Sequence, residues 1–305
     1  MHSSDMTRHI VIAGGSGFLG RRLAAELTAD GCTVSILTRR AAQQVGPVSF
    51  VSWSPTEPGD WVKTLESADA VINLCGESIA GPRWSDARKR QLIDSRVTPT
   101  RTLLEACAAC ATPPKKFLQA SGVGYYGIGE RDCEETSSQG LDFLAELAGL
   151  WEAPLAQINL TGMSSAVMRL GVVLGTRGGA LPQMLLPFRM FMGGPIGNGM
   201  QWLSWLHIED AIAAIRHLLE VEQLAGVYNL SAPEPVRNHQ FAEAAAKALG
   251  RPNWVPLPKT VMKLLLGEQA TLVCDGQRAL PTALTRSGFK FSYPTIEQAL
   301  ANLIG

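Results

Sequence analysis

Apolar positions in the first half of the chain follow two alternating rhythms. His9–Ala13 is a short, nearly continuous apolar run that ends at glycines, the pattern of a buried strand. Phe18–Ala29 then carries apolar residues at helical spacing and stops at Gly31, a residue suited to the left-handed turn after a helix. The same strand pattern returns over residues 32–37, 48–53, 68–74, 117–121 and 164–170. Ser85, with Asp86 in the first turn, opens a long helical stretch that reaches towards Ala111 and stops before Pro113-Pro114. Pro99 is expected to bend or divide it. A further helix is predicted over residues 141–159. Continuous apolar strands alternating with helices imply a parallel sheet covered on both faces. Right-handed crossovers then make it doubly wound, a Rossmann-type α/β fold.

After Gly171 the pattern loosens. A glycine- and proline-rich stretch runs to Gly199, followed by a strand-like segment over 202–208, a helix over 209–221 and a last sheet strand at Val227–Leu230. From Val236 the tail reads as mainly helical, with breaks at Pro252, Pro256 and Pro258. The expected organisation is a nucleotide-binding domain over residues 8–235, with part of 175–205 on the substrate side. A smaller, mainly helical substrate domain follows over 236–305. No internal repeat or low-complexity segment interrupts this plan.

Composition narrows the partners. Hydrophobic residues make up 46% and charged residues 18% of the 305, as in a folded chain. Lys plus Arg and Asp plus Glu balance at 27 each, so no net field favours nucleic acid or an anionic membrane, although a local patch remains open. No window approaches the length of apolar residues that a membrane span needs; the richest, 181–196, is broken by prolines, an arginine and glycines. The N-terminus lacks an apolar stretch before a small-residue cleavage site, so a cytoplasmic location with reduced thiols is expected. Cys107 and Cys110 form a C-x-x-C in an alanine-rich helical setting with no second pair, which reads as helix packing, and no metal site is expected.

The chemistry begins at Gly14-Gly15-Ser16-Gly17-Phe18-Leu19-Gly20, which follows a strand and opens a helix. Gly14 permits the sharp turn, Gly17 lets the backbone approach a pyrophosphate, and Gly20 lets helix and strand pack closely. The free N–H groups at the helix start bind the phosphates. At the end of the second strand, Leu37-Thr38-Arg39-Arg40 stands where an Asp or Glu would select NAD. Arg39 can grip a 2′-phosphate with Thr38 adding a hydroxyl, which favours NADP; the other reading is that the arginines merely solvate a loop. The fourth strand ends in Asn73-Leu74-Cys75-Gly76-Glu77, where small residues let a cofactor sugar cross the backbone. Arg96, in the helix that follows, reads either as a phosphate ligand or as an ordinary ion-pair residue.

These residues resemble the extended short-chain dehydrogenase/reductase superfamily of epimerases and dehydratases. Further segments narrow the resemblance: Asn73-Leu-Cys-Gly-Glu-Ser-Ile79, Arg83-Trp84, Ser95-Arg96, Gly124-Tyr-Tyr-Gly127, Arg169-Leu-Gly-Val-Val-Leu174, Gly193-Gly-Pro-Ile-Gly197 and Trp205-Leu-His-Ile-Glu-Asp210. Together they are similar to the "epimerase family protein" group, an atypical branch whose bacterial members include the YfcH-like proteins. The resemblance covers essentially the whole chain, and the part after Val236 resembles that group's small domain of unknown function. It implies an NADP-binding epimerase, reductase or dehydratase acting on a small molecule, such as a sugar nucleotide.

The superfamily moves protons with a Tyr-x-x-x-Lys pair, and this chain has none. Four residues beyond Tyr125, Tyr126, Tyr228 and Tyr293 stand Gly129, Glu130, Ala232 and Glu297. Phe143 and Leu147 fall at the Tyr and Lys places, and Gly122 falls at the usual Ser/Thr place, one residue from Ser121. The remaining hydroxyls at the expected nicotinamide end are Ser121, Tyr125 and Tyr126, either as proton-transfer groups or as the wall of a pocket. His207 and Asp210 are expected to join the two domains structurally. Two functions stay open: an enzyme of atypical mechanism, and a non-catalytic protein that binds NADP and responds to its redox state.

Overall fold

The computed structural model describes residues 7–155 and 162–304. Along the chain lie β1 (His9–Ala13), α1 (Phe18–Ala29), β2 (Thr33–Thr38), β3 (Gln43–Val45), β4 (Val48–Ser52), β5 (Ala70–Asn73), α2 (Asp86–Ala109), β6 (Lys116–Gly122), β7 (Asp132–Cys133) and α3 (Phe143–Glu152). Then come β8 (Ser164–Leu170), β9 (Val172–Leu174), α4 (Leu181–Arg189), β10 (Trp202–Leu203), β11 (Trp205–His207), α5 (Ile208–Glu220), β12 (Val227–Leu230), β13 (Val236–Arg237) and α6 (Asn238–Leu249). The chain closes with α7 (Lys259–Leu266), α8 (Thr271–Cys274), β14 (Arg278–Ala279), α9 (Thr282–Arg286) and α10 (Ile296–Ile304).

Eight strands form one sheet in the order β12-β8-β6-β5-β1-β2-β4-β3. Every pairing is parallel except that of β3 with β4. Strand order therefore reverses between β1 and β5, the point where a doubly wound sheet opens a crevice. Period-two alternation feeds both faces. Ile10 and Ile12 pack with Leu23 and Leu27 of α1 and Ile212 and Ile215 of α5. Val11 and Ala13 turn the other way, onto Leu103, Leu104 and Cys107 of α2 and Phe117 of β6. Each such buried branched side chain contributes about 1.5–3 kcal/mol.

Several elements depart from the sequence pattern for local reasons. The edge hairpin β3–β4, turning at Gly46, was not expected: the residues of β3 are all exposed, so hydrophobic alternation could not mark it. α2 passes through Pro99 undivided, because Pro99, Thr100, Leu103 and Leu104 are all buried on the sheet and outweigh one lost hydrogen bond. α3 begins at Phe143, where the Asp142 carboxylate accepts the Ala145 N–H at 3.0 Å; residues 156–159 of the expected helix lie outside the described residues. The expected strand 202–208 is three pieces: β10 pairs with β13, β11 pairs with β9, and Ile208 already belongs to α5. Ser204 sits at the break, its hydroxyl donating to the Gln277 carbonyl (2.7 Å) and accepting from the Ala279 N–H (2.9 Å).

The stretch between Gly171 and Gly199 contains α4, which tolerates Pro182 in its first turn. α4, α6 and α10 pack around Trp205 in a third apolar cluster beside the sheet. The C-terminal region is helical, and it also returns to the first half: β14 pairs with β7, and α9 lies against β12.

Candidate functional site

The glycine loop sits at the carboxyl end of β1, beside the strand-order reversal. Gly14 has φ +77°, and a Cβ there would lie 2.7 Å from the Leu74 carbonyl group. A Cβ on Gly20 would come within 2.5 Å of the Gly15 Cα. These two glycines are required by the protein's own packing. Gly17 differs, because its Cβ would meet only the Gly14 carbonyl oxygen, at 3.2 Å, and otherwise points into open space. Gly17 is also the N-cap of α1 and offers no side-chain acceptor, whereas α2 and α3 are capped by Ser85 and Asp142. The first-turn N–H groups of α1 thus lack the side-chain acceptor that α2 and α3 have. Ser16 is exposed, and its carbonyl accepts from Arg21 (2.9 Å).

Phe18 shows a contact that glycine spacing alone does not announce. Gly175, Gly178 and Gly179 from the loop after β9 lie against its ring, and a Cβ on Gly175 would stand 2.6 Å from it. The loop after β9 therefore closes over the start of α1. Leu19 is half-buried against the cluster of Ile10 and Ile12.

At the end of β2, Thr38 is buried and its hydroxyl accepts the Arg40 N–H at 3.2 Å. Arg39 is exposed and enters no ion pair among the described residues. At the end of β5, Asn73 is fully buried. Its amide donates to Thr100 and Gln119 (2.9 Å each), and its oxygen accepts the Cys75 N–H (3.0 Å), which shapes the turn carrying Leu74, Cys75 and Gly76. Burial pushes the Cys75 thiol up to about 12, with the Arg39 charge pulling the other way, so the thiol stays neutral.

Arg96 is buried. It donates to the Glu77 carbonyl (2.7 Å), the Leu92 carbonyl (3.0 Å) and the Ser95 hydroxyl (3.2 Å), and it lies 4.9 Å from the Trp151 ring. Burial, and then the charge of Arg88, lower its pKa to about 10. A Cβ on Gly76 would come within 3.1 Å of the Arg96 guanidinium carbon, so Arg96 braces the turn at Gly76 and Glu77. Among the described residues it forms no ion pair with a carboxylate.

The three candidate hydroxyls gather at the end of β6 and in the single-turn helix that follows it, but they are not equivalent. Ser121 donates to Glu152 Oε1 at 2.6 Å. Arg169, next to the last residue of β8, grips the same carboxylate with two nitrogens, at 2.9 and 2.8 Å. Arg169 also donates to the Tyr126 hydroxyl (3.0 Å), which in turn donates to Asn229 Oδ1 (2.6 Å). Burial pushes Tyr126 up to about 12, with Arg169 pulling partly back. Tyr125 is half-buried with its ring 3.3 Å from the Arg169 guanidinium carbon, and among the described residues its hydroxyl has no hydrogen-bond partner. Phe143 packs edge-on to Trp84 at 5.0 Å, and Leu147 is buried in the same cluster, so apolar packing of α3 on α2 fills the Tyr and Lys places.

Sequence reasoning missed Glu152 and Asn229, and took Arg169 only as a family marker. A signal was there: an arginine inside a strand whose neighbours are all apolar has to meet a buried carboxylate. His207 and Asp210 bind the C-terminal segment. The His207 ring stacks on Tyr293 at 3.8 Å, and the Asp210 carboxylate accepts the N–H groups of Ser292 (2.8 Å) and Tyr293 (3.0 Å). Among the described residues, no group of three His, Cys, Asp or Glu side chains is placed to hold a metal, and no helix is long and apolar enough to cross a membrane. Cys107 on α2 and Cys110 at its C-terminal cap are buried free thiols.

Beyond Tyr126 the chain borders a cavity of about 290 Å³ lined by Ile128, Glu130, Asn198, Gln201, Lys259 and Asp275, among others. A cavity of about 460 Å³ lies around Arg8, just before β1, and hence away from the carboxyl ends of the strands.

Residues 10–231 match the NAD dependent epimerase/dehydratase family, and residues 257–303 match a domain of unknown function, DUF1731. The chain is 39% identical over 299 residues to "Epimerase family protein YfhF" of Bacillus subtilis, covering 97% of this chain and 98% of the relative. The crystal structure of human epimerase family protein SDR39U1 (isoform2) with NADPH superposes with a TM-score of 0.85 at 32% identity, covering 97% of this chain and 99% of that one. MoeE5 in complex with UDP-glucuronic acid and NAD shares the fold, with a TM-score of 0.75 at 18% identity over 97% of each chain.

Proposed function

This chain belongs to the NAD dependent epimerase/dehydratase family, and from that premise we propose that it binds NADP(H) in preference to NAD(H) and uses it on a small-molecule substrate. The observation that carries the reading is the uncapped N-terminus of α1 at Gly17, with open space in front of it and the exposed, ion-pair-free Arg39 at the end of the neighbouring strand. The residues fit a dinucleotide. Gly14, Ser16, Gly17, Phe18, Leu19 and Gly20 form the cradle for its pyrophosphate. Thr38 and Arg39 meet the 2′-phosphate, and Leu74, Cys75 and Gly76 line the path of its sugar, with Arg96 bracing that turn. The human relative solved with NADPH supports the same choice of cofactor. Residues 8–235 form the nucleotide-binding domain in this reading, and 236–305 the smaller domain beside the substrate.

When bound, the nicotinamide supplies or accepts a hydride. The chain's own part is to hold or move a proton. The Ser121 hydroxyl is already committed as a hydrogen-bond donor to Glu152, and that of Tyr126 to Asn229. Tyr125 is the hydroxyl left for a substrate, its ring held against Arg169. A second reading, NADP binding without turnover, has its own support in the apolar Phe143 and Leu147 and in the commitment of two of the three hydroxyls to an internal network.

Two measurements test these proposals. Calorimetric titration should show tighter binding of NADPH than of NADH, and Arg39→Ala should remove most of the difference, on the order of 1–3 kcal/mol for a charge-assisted contact. Equal affinities in the unaltered protein would refute the NADP assignment. Co-purifying small molecules should then be screened for NADPH oxidation. With a substrate in hand, Tyr125→Phe should retain cofactor and lose about 10²–10⁴-fold in rate, while Tyr126→Phe mainly destabilises the fold. Full turnover by Tyr125→Phe would move the proton transfer elsewhere.

A further inference from the structure

Exposed apolar side chains are concentrated in two segments that are bound to each other. Of the thirteen large hydrophobic residues exposed among the described residues, nine fall in these two segments, 186–200 and 254–265. Trp254 Nε1 donates to the Phe191 carbonyl (2.9 Å), the N–H groups of Trp254 and Val255 donate to that of Gly193 (3.0 and 3.1 Å), and the Leu257 N–H donates to that of Pro195 (2.9 Å). α7 follows directly, and none of its residues is buried. Val261, Leu264 and Leu265 stand at i, i+3 and i+4, on one face of the helix. Arg83 fixes its far end by donating to the Leu265 carbonyl (3.0 and 2.7 Å). Leu264 is 78% exposed and Trp254 70%, so these side chains protrude from the surface and do not line a groove.

Charge selects the occupant. Residues 181–200 and 251–266 contain no Asp or Glu, yet they carry Arg189, Arg251, Lys259 and Lys263. Lys259 pairs with Asp275, and among the described residues the other three enter no ion pair. In a chain whose charges balance overall, this is a local positive face around protruding Trp, Phe, Met and Leu tips. A second copy of the same face would bring cations against cations, and a docked peptide would need a groove. A layer of anionic lipid headgroups satisfies both features: it attracts the cations and takes the apolar tips into the acyl boundary. We propose that this face, formed by α7, Trp254 and the segment around Met190, Phe191 and Met192, attaches the protein peripherally to an anionic bilayer. The cavity of about 290 Å³ is lined in part by Met200 and Lys259 of the same segments, so it lies beside the attached face.

Flotation of the full chain with lipid vesicles tests this. The protein should rise with phosphatidylcholine–phosphatidylglycerol vesicles and stay behind with phosphatidylcholine alone, and added salt should release it. Lys263→Gln should weaken binding about fivefold, the effect of one basic residue near an anionic surface. The double variant Leu264→Gln, Leu265→Gln should lose flotation with an unchanged melting temperature, since both side chains are exposed. Absence of flotation with the anionic vesicles overturns the proposal, as does its full retention by the double variant. A dimer in sedimentation that the double variant disperses, without vesicle binding by the unaltered chain, would assign the face to a second copy.

Discussion

At the scale of single residues, two glycines of the phosphate loop make separable predictions. Gly17→Val should leave the melting temperature nearly unchanged and abolish NADPH binding, because its side chain enters open space in front of the helix end. Gly20→Val should instead lower the melting temperature sharply, because a Cβ there meets the Gly15 backbone at 2.5 Å. Thermal melts beside calorimetric titrations separate the two; undiminished NADPH binding by folded Gly17→Val would displace the cradle. This loop was legible in the sequence because its spacing is local and each glycine answers a backbone requirement within a few residues. Arg39 was legible for the same reason, as the residue after β2. The Ser121–Glu152–Arg169 contacts were not, since they join β6, α3 and β8, and nothing local to any of those residues names its partners.

At the scale of elements, that network ties α3 to the sheet. Arg169 and Glu152 have side chains only 4% and 12% exposed, so their ion pair sits largely out of water. Removing one partner leaves the other charge buried, and Glu152→Leu or Arg169→Met should each cost about 3–5 kcal/mol. The double variant Glu152→Leu, Arg169→Met should recover much of that loss. Urea unfolding checks both, and additive losses in the double variant would show that the two side chains are stabilised independently. The elements themselves were legible wherever packing follows periodicity, as in β1, α1 and the long helix α2. They were less so where polar side chains cut the pattern. Ser204 divides one expected strand, and β3 pairs through its backbone while exposing every side chain. The stretch holding α4 reads as a loop because glycines flank this short helix and Pro182 and Pro187 lie within it, while its buried residues, Leu181, Leu185 and Phe188, join the Trp205 cluster.

At the scale of the whole molecule, stability should depend on pH through two histidines at distant points. His9 lies at the start of β1, and His207 lies at the start of α5 against the C-terminal segment. Burial holds both below their ordinary 6.5, against the pull of Asp69 on the first and of Asp210 and Glu209 on the second. Between each lowered value and 6.5 the unfolded chain binds more protons than the folded one, so stability rises with pH across that window and falls on acidification. Melting temperature should drop as pH is lowered below about 6.5, and His9→Gln should flatten part of the slope. A melting temperature indifferent to pH across that window would exclude the two rings as its source. A different consequence follows from Glu135, whose carboxylate accepts the N–H groups of Asn229 and Ala283, 94 and 148 residues further along. Asn229 in turn accepts from Tyr126 and donates to the Leu280 carbonyl (2.9 Å). The single-turn helix at Tyr126 is therefore completed only by segments far along the chain, and its shape depends on long-range closure.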